Sequence, residues 1–225
     1  MSQLDVLLLA PYLPELEGLA PLLGNGMSGS IHGLQVKAKA VGIGLPMAAA
    51  GTTARLEATS PRGVVLLGTC AAYPGKGLSP GQVVVATRAT LAEAAVLEGR
   101  AAFPEPMTCV IDTHRVLTSA LSLSSTRPVR VATPLAVTTD AGMASRFSGQ
   151  LDCDVEHYEA FGVALACAPR HIPFAVVLGV SHEMGPAARE TWRTNHRNAA
   201  HAAAQVVTAW LQSGGAGLPH GQNND

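Results

Sequence analysis

The feature that most constrains the fold of this chain is a series of short apolar segments separated by stretches with helical spacing. Residues 4–10, 64–67 and 173–180 are apolar on both faces, as strands are when helices cover both sides of a sheet. Helical patterns lie between them, including the Ala-rich stretch that runs from Pro46 to Thr59. This alternation predicts an α/β fold with three layers, α/β/α, around a central mixed, largely parallel sheet.

A single domain is expected over residues 1–212. The chain has 225 residues, enough to bury one core, and shows neither an internal repeat nor a domain linker. Residues 213–225 are rich in Gly, Pro and Asn, so a disordered tail is predicted there.

Charge and hydropathy limit the classes of partner. Charged residues make up 14 % of the chain, against the usual ~25 %. A surface with so few charged residues is expected to be partly covered by another subunit, which favours a homo-oligomer. A net charge of −1 gives no electrostatic reason to expect nucleic acid or an anionic membrane. No apolar run reaches the ~18 residues of a membrane span, and no basic leader is present, so a cytoplasmic protein is predicted.

The residues that commonly bind metals are not arranged as a site. The cysteines are widely spaced without a CxxC pair, which predicts reduced thiols rather than zinc ligands or a disulfide scaffold. His196 and His201 are five residues apart and do not share a helical face, and the segment SHEMG lacks the second His of an HExxH site. We therefore expect no metal.

Ligands of open α/β sheets bind beyond the carboxyl ends of the strands. Four such places carry small or polar residues where an apolar strand stops, and they are expected to form one binding edge. They are residues 11–17, 42–44, 68–71 and 181–183.

The segments at these places, in this order, resemble those of the nucleoside phosphorylase and nucleosidase superfamily. The first strand is followed by Glu15, and a GxG turn opens the Ala-rich helix in VGIGLPMAAA. A strand ends in LLGTCAA, a helix start carries two acids in DVEHYEAFGVA, and the last strand ends in VVLGVSHE. The resemblance covers residues 4–211. The spacing of Glu156 and Glu159, together with Arg189 and Trp192, resembles the futalosine hydrolase branch, although Ala187 and Ala188 stand where its signature has Arg and Asp.

The resemblance implies hydrolysis of the N-glycosidic bond of a purine-type nucleoside, with no metal or organic cofactor. Such cleavage builds positive charge on the ribose, so it needs a carboxylate at the attacking water and acceptors for the ribose hydroxyls. By resemblance Glu15 activates the water, and Glu17 is the alternative acid. An acid on the first turn after a strand is otherwise an ordinary solvated residue favoured by the helix dipole.

Glu159 is implied to hold the ribose hydroxyls. Glu156 precedes it by three residues, so both are expected on one face of a helix, although two ordinary first-turn acids would show the same spacing. Val155 and Tyr158 of the same motif are also expected in the substrate site, and Tyr158 replaces a Met that lies along the sugar in the family.

The pocket is expected to be lined by backbone amides and small side chains, and one position departs from the family. His182 stands where the family has Asp or Asn bonded to the purine N7. With an ordinary pKa of ~6.5 an imidazole can bond there and donate a proton near neutrality, so His182 is predicted to assist departure of the base. The remaining lining residues are Gly44, Thr69, Cys70, Ala71 and Ser181.

Three other functions remain open from the sequence. Related enzymes are methylthioadenosine/S-adenosylhomocysteine nucleosidase and purine nucleoside phosphorylase. Phosphorolysis needs a cationic cradle for phosphate, yet residues 1–54 contain no Arg and Arg88 is the nearest candidate, which favours hydrolysis. The non-enzyme alternative is a protein that binds nucleosides but has lost its catalytic acid at His182.

Overall fold

The computed structural model describes residues 4–185 and 187–219. Its strands are β1 (Val6–Ala10), β2 (Ser28–Ile31), β3 (Leu34–Ala40), β4 (Gly63–Ala72), β5 (Val83–Ala92), β6 (Val110–Asp112), β7 (Thr126–Pro134), β8 (Val155–Glu156) and β9 (Phe174–Glu183). Its α-helices are α1 (Ala20–Leu23), α2 (Leu45–Thr59), α3 (Ala94–Leu97), α4 (Arg115–Leu121), α5 (Ala141–Gln150), α6 (Ala160–Cys167) and α7 (Ala188–Gln212). Two 3-10 helices cover Leu13–Leu19 and Ala168–Arg170.

The strands form one mixed sheet. Their order is β2-β3-β1-β4-β8-β7-β5-β6, and β9 pairs with both β4 and β5. Within the described residues five strand pairings are parallel and four are antiparallel. The sheet is therefore mixed, with parallel pairings in a small majority.

Helices cover both faces of this sheet. One apolar layer lies between the sheet and helices α2 and α6, with Leu66 and Phe161 at its centre. The other lies between the sheet and the first 3-10 helix, α4 and α7, and contains Leu67 and Trp210. The predicted three-layer α/β/α class is therefore confirmed.

Strand β4 is longer than its apolar pattern indicated. The strand was expected to stop before residues 68–71, but it continues to Ala72 with a register shift between Cys70 and Ala71. Partners distant in sequence explain the difference, because Ala71 pairs with Glu156 of β8 on one side and His182 of β9 on the other. The expected end of the strand is wrong, and residues 68–71 lie within β4, between β8 and β9.

The segment after α7 also differs from expectation. Residues 213–219, placed by the sequence in a disordered tail, fold back on the domain. The Trp210 Nε1–H donates to the Ala216 carbonyl at 2.9 Å, and Leu218 packs against the core beside Gly63. Residues 220–225 of that tail, and Pro186 at the expected start of α7, lie outside the described residues. In the part of the chain that is described, no helix is both long and apolar enough to cross a membrane.

Helix α7 packs on β9 at a glycine. A Cβ placed on Gly179 would lie 2.0 Å from the carbonyl oxygen of Ala199, so the helix and strand could not keep this distance with any side chain there. We predict that Gly179→Ala lowers the free energy of unfolding by about 1–3 kcal/mol, the usual cost of overpacking a core.

Gly149 in α5 provides the matched control, because a Cβ there meets nothing within 4 Å. Gly149→Ala should leave stability unchanged or raise it by ~0.5–1 kcal/mol. Thermal and urea unfolding measure both variants. Equal stability of the two would contradict the close packing of α7 on β9.

Candidate active site

Glu15 is a buried acid at the carboxyl end of β1. Pro14 lies in the first turn of the 3-10 helix Leu13–Leu19, and the inner face of that helix buries Glu15 together with Leu16 and Leu19. The Glu15 Oε1 accepts hydrogen bonds from the Thr69 backbone N–H at 2.9 Å and the Thr69 hydroxyl at 2.8 Å. Its Oε2 is buried and has no hydrogen-bond partner among the described residues, so one oxygen is fixed and the other is available.

Gly68 makes room for this carboxylate. A Cβ at Gly68 would lie 3.0 Å from the Glu15 Oε2, tighter than ordinary contact. Strand β4 therefore positions Glu15 through two neighbouring residues, one by its small size and one by its hydrogen-bond donors.

Burial sets the protonation of Glu15. The pKa of the Glu15 carboxyl is raised to about 8, mainly because burial desolvates it; the nearby charge of Glu159 adds to the rise, and the hydrogen bonds from Thr69 oppose it. A carboxyl with such a pKa exchanges its proton near neutrality, as a general base for a water molecule must.

Glu159 is the second buried acid, directly before helix α6. Its Oε1 accepts the Gly44 backbone N–H at 2.7 Å. Gly44 has φ 86°, a conformation that favours glycine, and immediately precedes α2. The Glu159 carboxylate therefore lies at the amino end of a fifteen-residue helix, where the dipole and the free N–H groups favour negative charge.

His157 contacts Glu159 and caps the helix that follows it. Its Nδ1 accepts from the backbone N–H groups of Glu159 at 3.3 Å and Ala160 at 3.2 Å, so the amino end of α6 is capped by an imidazole. The same Nδ1 lies 3.4 Å from the Glu159 Oε2. Because burial lowers the pKa of His157 and Nδ1 already accepts two hydrogen bonds, this contact is between a neutral ring and a carboxylate rather than an ion pair.

Glu156 has a different environment from the one its spacing suggested. It lies in strand β8, so Glu156 and Glu159 do not share a helical face, and that expectation is wrong. The Glu156 carboxylate accepts from the Thr138 N–H at 3.1 Å, the Thr138 hydroxyl at 2.6 Å and the Tyr73 hydroxyl at 3.0 Å. Burial raises its pKa. These bonds tie β4, β8 and the loop after β7 together.

The other lining residues divide between the core and the carboxyl edge of the sheet. The Val155 and Cys70 side chains face the core beneath α2 and α6, which leaves only their backbones for a ligand. Ala71 belongs to a separate small cluster with Tyr73 and Met184. Tyr158 is half-buried beside Glu156 and near Glu159.

Ser181 and His182 complete the edge on β9. The Ser181 hydroxyl donates to the Cys70 carbonyl at 2.9 Å, and its oxygen lies 2.9 Å from the His182 Nδ1. His182 is half-buried, and burial lowers its pKa. Directly paired residues of neighbouring strands carry their side chains on one face, so His182 and Glu156 flank Ala71 there.

Three contributors escaped the sequence reasoning: Tyr73, Thr138 and His157. Gly68 was expected at the binding edge, but its role in making room for Glu15 was not predicted. Gly68 and His157 lie inside the recognised motifs and were the nearest to being found. No sequence motif indicated Tyr73 or Thr138. Their contact with the site is the Glu156 carboxylate, which is 83 residues from Tyr73 and 18 residues from Thr138 in sequence.

The chain is similar to several known proteins over most of its length. The family model of the phosphorylase superfamily matches residues 2–212. A 5′-methylthioadenosine/S-adenosylhomocysteine nucleosidase of Chromohalobacter salexigens is 29 % identical over 198 residues, which are 82 % of this chain and 83 % of that protein.

Two solved structures from Helicobacter pylori share the fold. Futalosine hydrolase has a TM-score of 0.83 at 14 % identity and covers 93 % of this chain and 98 % of its own. A 5′-methylthioadenosine/S-adenosylhomocysteine nucleosidase, solved with butyl-thio-DADMe-Immucillin-A, has a TM-score of 0.85 at 14 % identity over 95 % of this chain and 100 % of its own. Both structures have the same fold as this chain. Since the family model matches nearly the whole chain, the protein belongs to the phosphorylase superfamily, as the resemblance predicted.

Proposed function

We propose that this protein hydrolyses the N-glycosidic bond of a purine-type nucleoside. The observation that carries the proposal is the pair of buried acids, Glu15 and Glu159, each with one oxygen held by a backbone N–H at the carboxyl edge of the sheet. Protein scaffolds seldom bury two carboxylates near one another without a functional reason, because each disfavours ionisation of the other.

Glu15 is assigned to the water. Its Oε2 takes the proton as water oxygen forms a bond to C1′, while the C1′–N bond breaks and its electrons leave with the base. The Thr69 donors hold Oε1, so that only Oε2 turns toward the reacting atoms. A positioned general base of this kind contributes roughly 10²–10⁴-fold to the rate.

Glu159 is assigned to the ribose. Its Oε1 is fixed by Gly44, which leaves Oε2 to accept a ribose hydroxyl, and its negative charge stabilises the cationic sugar of the transition state. Ala71, with His182 and Glu156 at its sides, is assigned to the base. Ser181 and Tyr158 line the same end, and no metal or organic cofactor is required.

Hydrolysis is favoured over phosphorolysis by the placement of the cations. Arg88 forms an exposed ion pair with Asp112 at the outer edge of the sheet. Among the described residues, neither Glu15 nor Glu159 forms an ion pair with an Arg or a Lys. A phosphate dianion beside these two acids would lack the cationic partners it needs.

The substrate is proposed to be futalosine or a methylthioadenosine-like nucleoside, since relatives of both names share the fold. The alternative of another class is a degenerate binding protein, and the observation in its favour is His182 at a position where the family has Asp or Asn. A cytoplasmic location stays a prediction.

The central test is release of free base. Incubation with futalosine, methylthioadenosine, inosine and adenosine in ¹⁸O-water is expected to release base from at least one of them without phosphate, with ¹⁸O at C1 of the sugar. We expect Glu15→Gln and Glu159→Gln each to lose about 10²-fold or more in kcat/KM. Glu17→Gln, an exposed acid on the same 3-10 helix, is the matched control and should retain activity.

Three outcomes would overturn parts of this proposal. Dependence on phosphate would identify a phosphorylase. Tight nucleoside binding without release of base would identify the binding protein. Full activity in Glu15→Gln or Glu159→Gln would remove the role assigned to that residue.

Ionisation of Glu15 predicts the pH dependence of the reaction. Since burial raises the pKa of Glu15 to about 8, the base form is scarce at neutral pH, and kcat/KM should rise with unit slope before levelling above that pKa. A decrease of kcat/KM across the same range would contradict a general base and indicate a general acid.

Unfolding provides the independent check on that pKa. The folded pKa lies above the ordinary 4.5, so the folded state binds the proton more tightly and stability falls as pH rises from 4.5 to about 8. Glu15→Gln lacks this titration, so its Tm relative to the wild type should increase through that range.

A homo-oligomer is proposed through the face formed by α2 and α6. Ile43, Met47 and Leu165 are large exposed apolar side chains there, and Leu165 borders a groove with Pro46 and Ala50 of α2. We predict that Leu165→Glu dissociates the assembly, as measured by analytical ultracentrifugation. Val116→Glu, an exposed apolar position on α4 at the opposite face, is the control that should leave the mass unchanged. A wild-type monomer would contradict the proposal.

A further inference from the structure

Helix α6 begins with an acidic residue that does not cap it. Glu159 is the N-cap residue of α6, the position whose side-chain oxygen ordinarily accepts the N–H of the second or third helical residue. Its carboxylate makes no such bond and accepts instead the Gly44 N–H at the start of α2, 2.7 Å away. The first N–H groups of α6 belong to buried residues and have no partner within the helix, so they need other acceptors.

Two side chains outside α6 supply these acceptors. The His157 Nδ1 accepts from the N–H groups of Glu159 at 3.3 Å and Ala160 at 3.2 Å. The Thr133 Oγ1, on strand β7, accepts the Phe161 N–H at 3.2 Å. Phe161 is the second residue of the helix, so its N–H is the donor that a capping Glu159 would take. Thr133 is 0 % and His157 2 % exposed, and an N–H left unpaired at such depth is costly.

The Glu159 carboxylate lies beside this first turn. Its Oε2 is 3.4 Å from the His157 Nδ1, the atom that holds the first two N–H groups. The same Oε2 is the oxygen assigned above to a ribose hydroxyl. An N–H left free at the start of α6 would therefore compete with the ribose for one carboxylate oxygen.

We infer that Thr133 and His157 cap α6 in place of Glu159, and that they thereby keep the Glu159 Oε2 available to the substrate. Both are positioning residues, because they act through Glu159. The consequence for activity rests on the proposed function, whereas the capping does not depend on it. A Glu159 that capped its own helix would have one oxygen on Gly44 and the other on Phe161, and would have none left for a ribose hydroxyl.

A crystal structure of Thr133→Val tests the capping directly. Valine is similar in shape to threonine but has no oxygen, so the Phe161 N–H loses its acceptor. We expect a Glu159 carboxylate oxygen within hydrogen-bond distance of that N–H in the variant. An unchanged Glu159 would overturn the inference. A variant that does not fold would overturn it as well, because Glu159 would then not have replaced the lost acceptor.

Unfolding of four proteins tests the same replacement in solution: the wild type, Thr133→Val, Glu159→Ala and the double variant. In Glu159→Ala no carboxylate can take up the Phe161 N–H. Thr133→Val should therefore lower the folding equilibrium constant about fivefold or more beyond its effect in the wild type, which is the usual cost of a lost cap. Equal effects in the two backgrounds would contradict the replacement.

Kinetic constants measure the consequence for the substrate site. We expect kcat/KM of Thr133→Val to fall about tenfold or more, because Glu159 loses its free acceptor. Thr133→Ser keeps a hydroxyl and should recover most of that loss. Thr118→Val, which removes a buried hydroxyl from α4 on the other face of the sheet, is the matched control and should keep the wild-type kcat/KM. Full activity in Thr133→Val, or equal losses in the valine and serine variants, would overturn the positioning role of Thr133.

His157 provides a second, independent pair of variants. An Asn side-chain oxygen is bonded to Cγ, as Nδ1 is in His, and Asn commonly accepts backbone N–H groups a few residues further along the chain. His157→Asn should therefore retain most of the wild-type kcat/KM, whereas His157→Leu, which has no acceptor, should lose about as much as Thr133→Val. Equal losses in the two, or the reverse order, would remove His157 from the cap.

These measurements separate the capping from the proposed hydrolysis. If Glu159 turns to Phe161 in Thr133→Val but the wild type cleaves no nucleoside, hydrolysis is wrong and the capping stands. If the wild type cleaves nucleosides and Glu159 keeps its place in Thr133→Val, hydrolysis stands and the capping is wrong.

Discussion

Two carboxylates buried near one another repel, and a buried carboxylate also loses its hydration by water. Glu15 and Glu159 are held in this situation because the backbone supplies each with an N–H, from Thr69 of β4 and from Gly44 at the amino end of α2. Backbone donors do not reorganise when charge moves, so the site retains its arrangement through a reaction. The raised pKa of Glu15 and the special conformation of Gly44 are both consequences of this constraint.

Strand β4 connects the parts of the site through three consecutive residues. Thr69 donates to Glu15, the carbonyl of Cys70 accepts from Ser181, and Ala71 pairs with Glu156 on one side and His182 on the other. Thr69 contributes a hydrogen-bond donor, Cys70 an acceptor and Ala71 a small side chain. The register shift of β9 lies between Cys70 and Ala71, and beyond it β8 and β9 both pair with Ala71 and Ala72.

The sequence was sufficient for the layers of the fold, because apolar strands covered on both faces leave a clear pattern. It was also sufficient to select Glu15 and Glu159 as candidates through the family motifs. It was insufficient where distant segments meet. The extension of β4 depends on β8 and β9, far along the chain, and the bonds of Glu156 depend on Thr138 and Tyr73. Spacing alone therefore placed Glu156 on a helix.

Local composition was equally misleading where tertiary contacts decide. The residues after α7 are rich in Gly, yet Leu218 finds a place in the core and the Trp210 indole binds the Ala216 carbonyl. His157 lies within a recognised motif, but its role as a cap for α6 depends on ring orientation, which no spacing encodes.

The most direct measurement is a crystal structure of Glu15→Gln with an intact nucleoside bound. The account predicts a ribose hydroxyl within hydrogen-bond distance of the Glu159 Oε2, C1′ next to residue 15, and the base above Ala71. A nucleoside bound away from both acids, or with its ribose turned from Glu159, would contradict the assignment of these residues to catalysis.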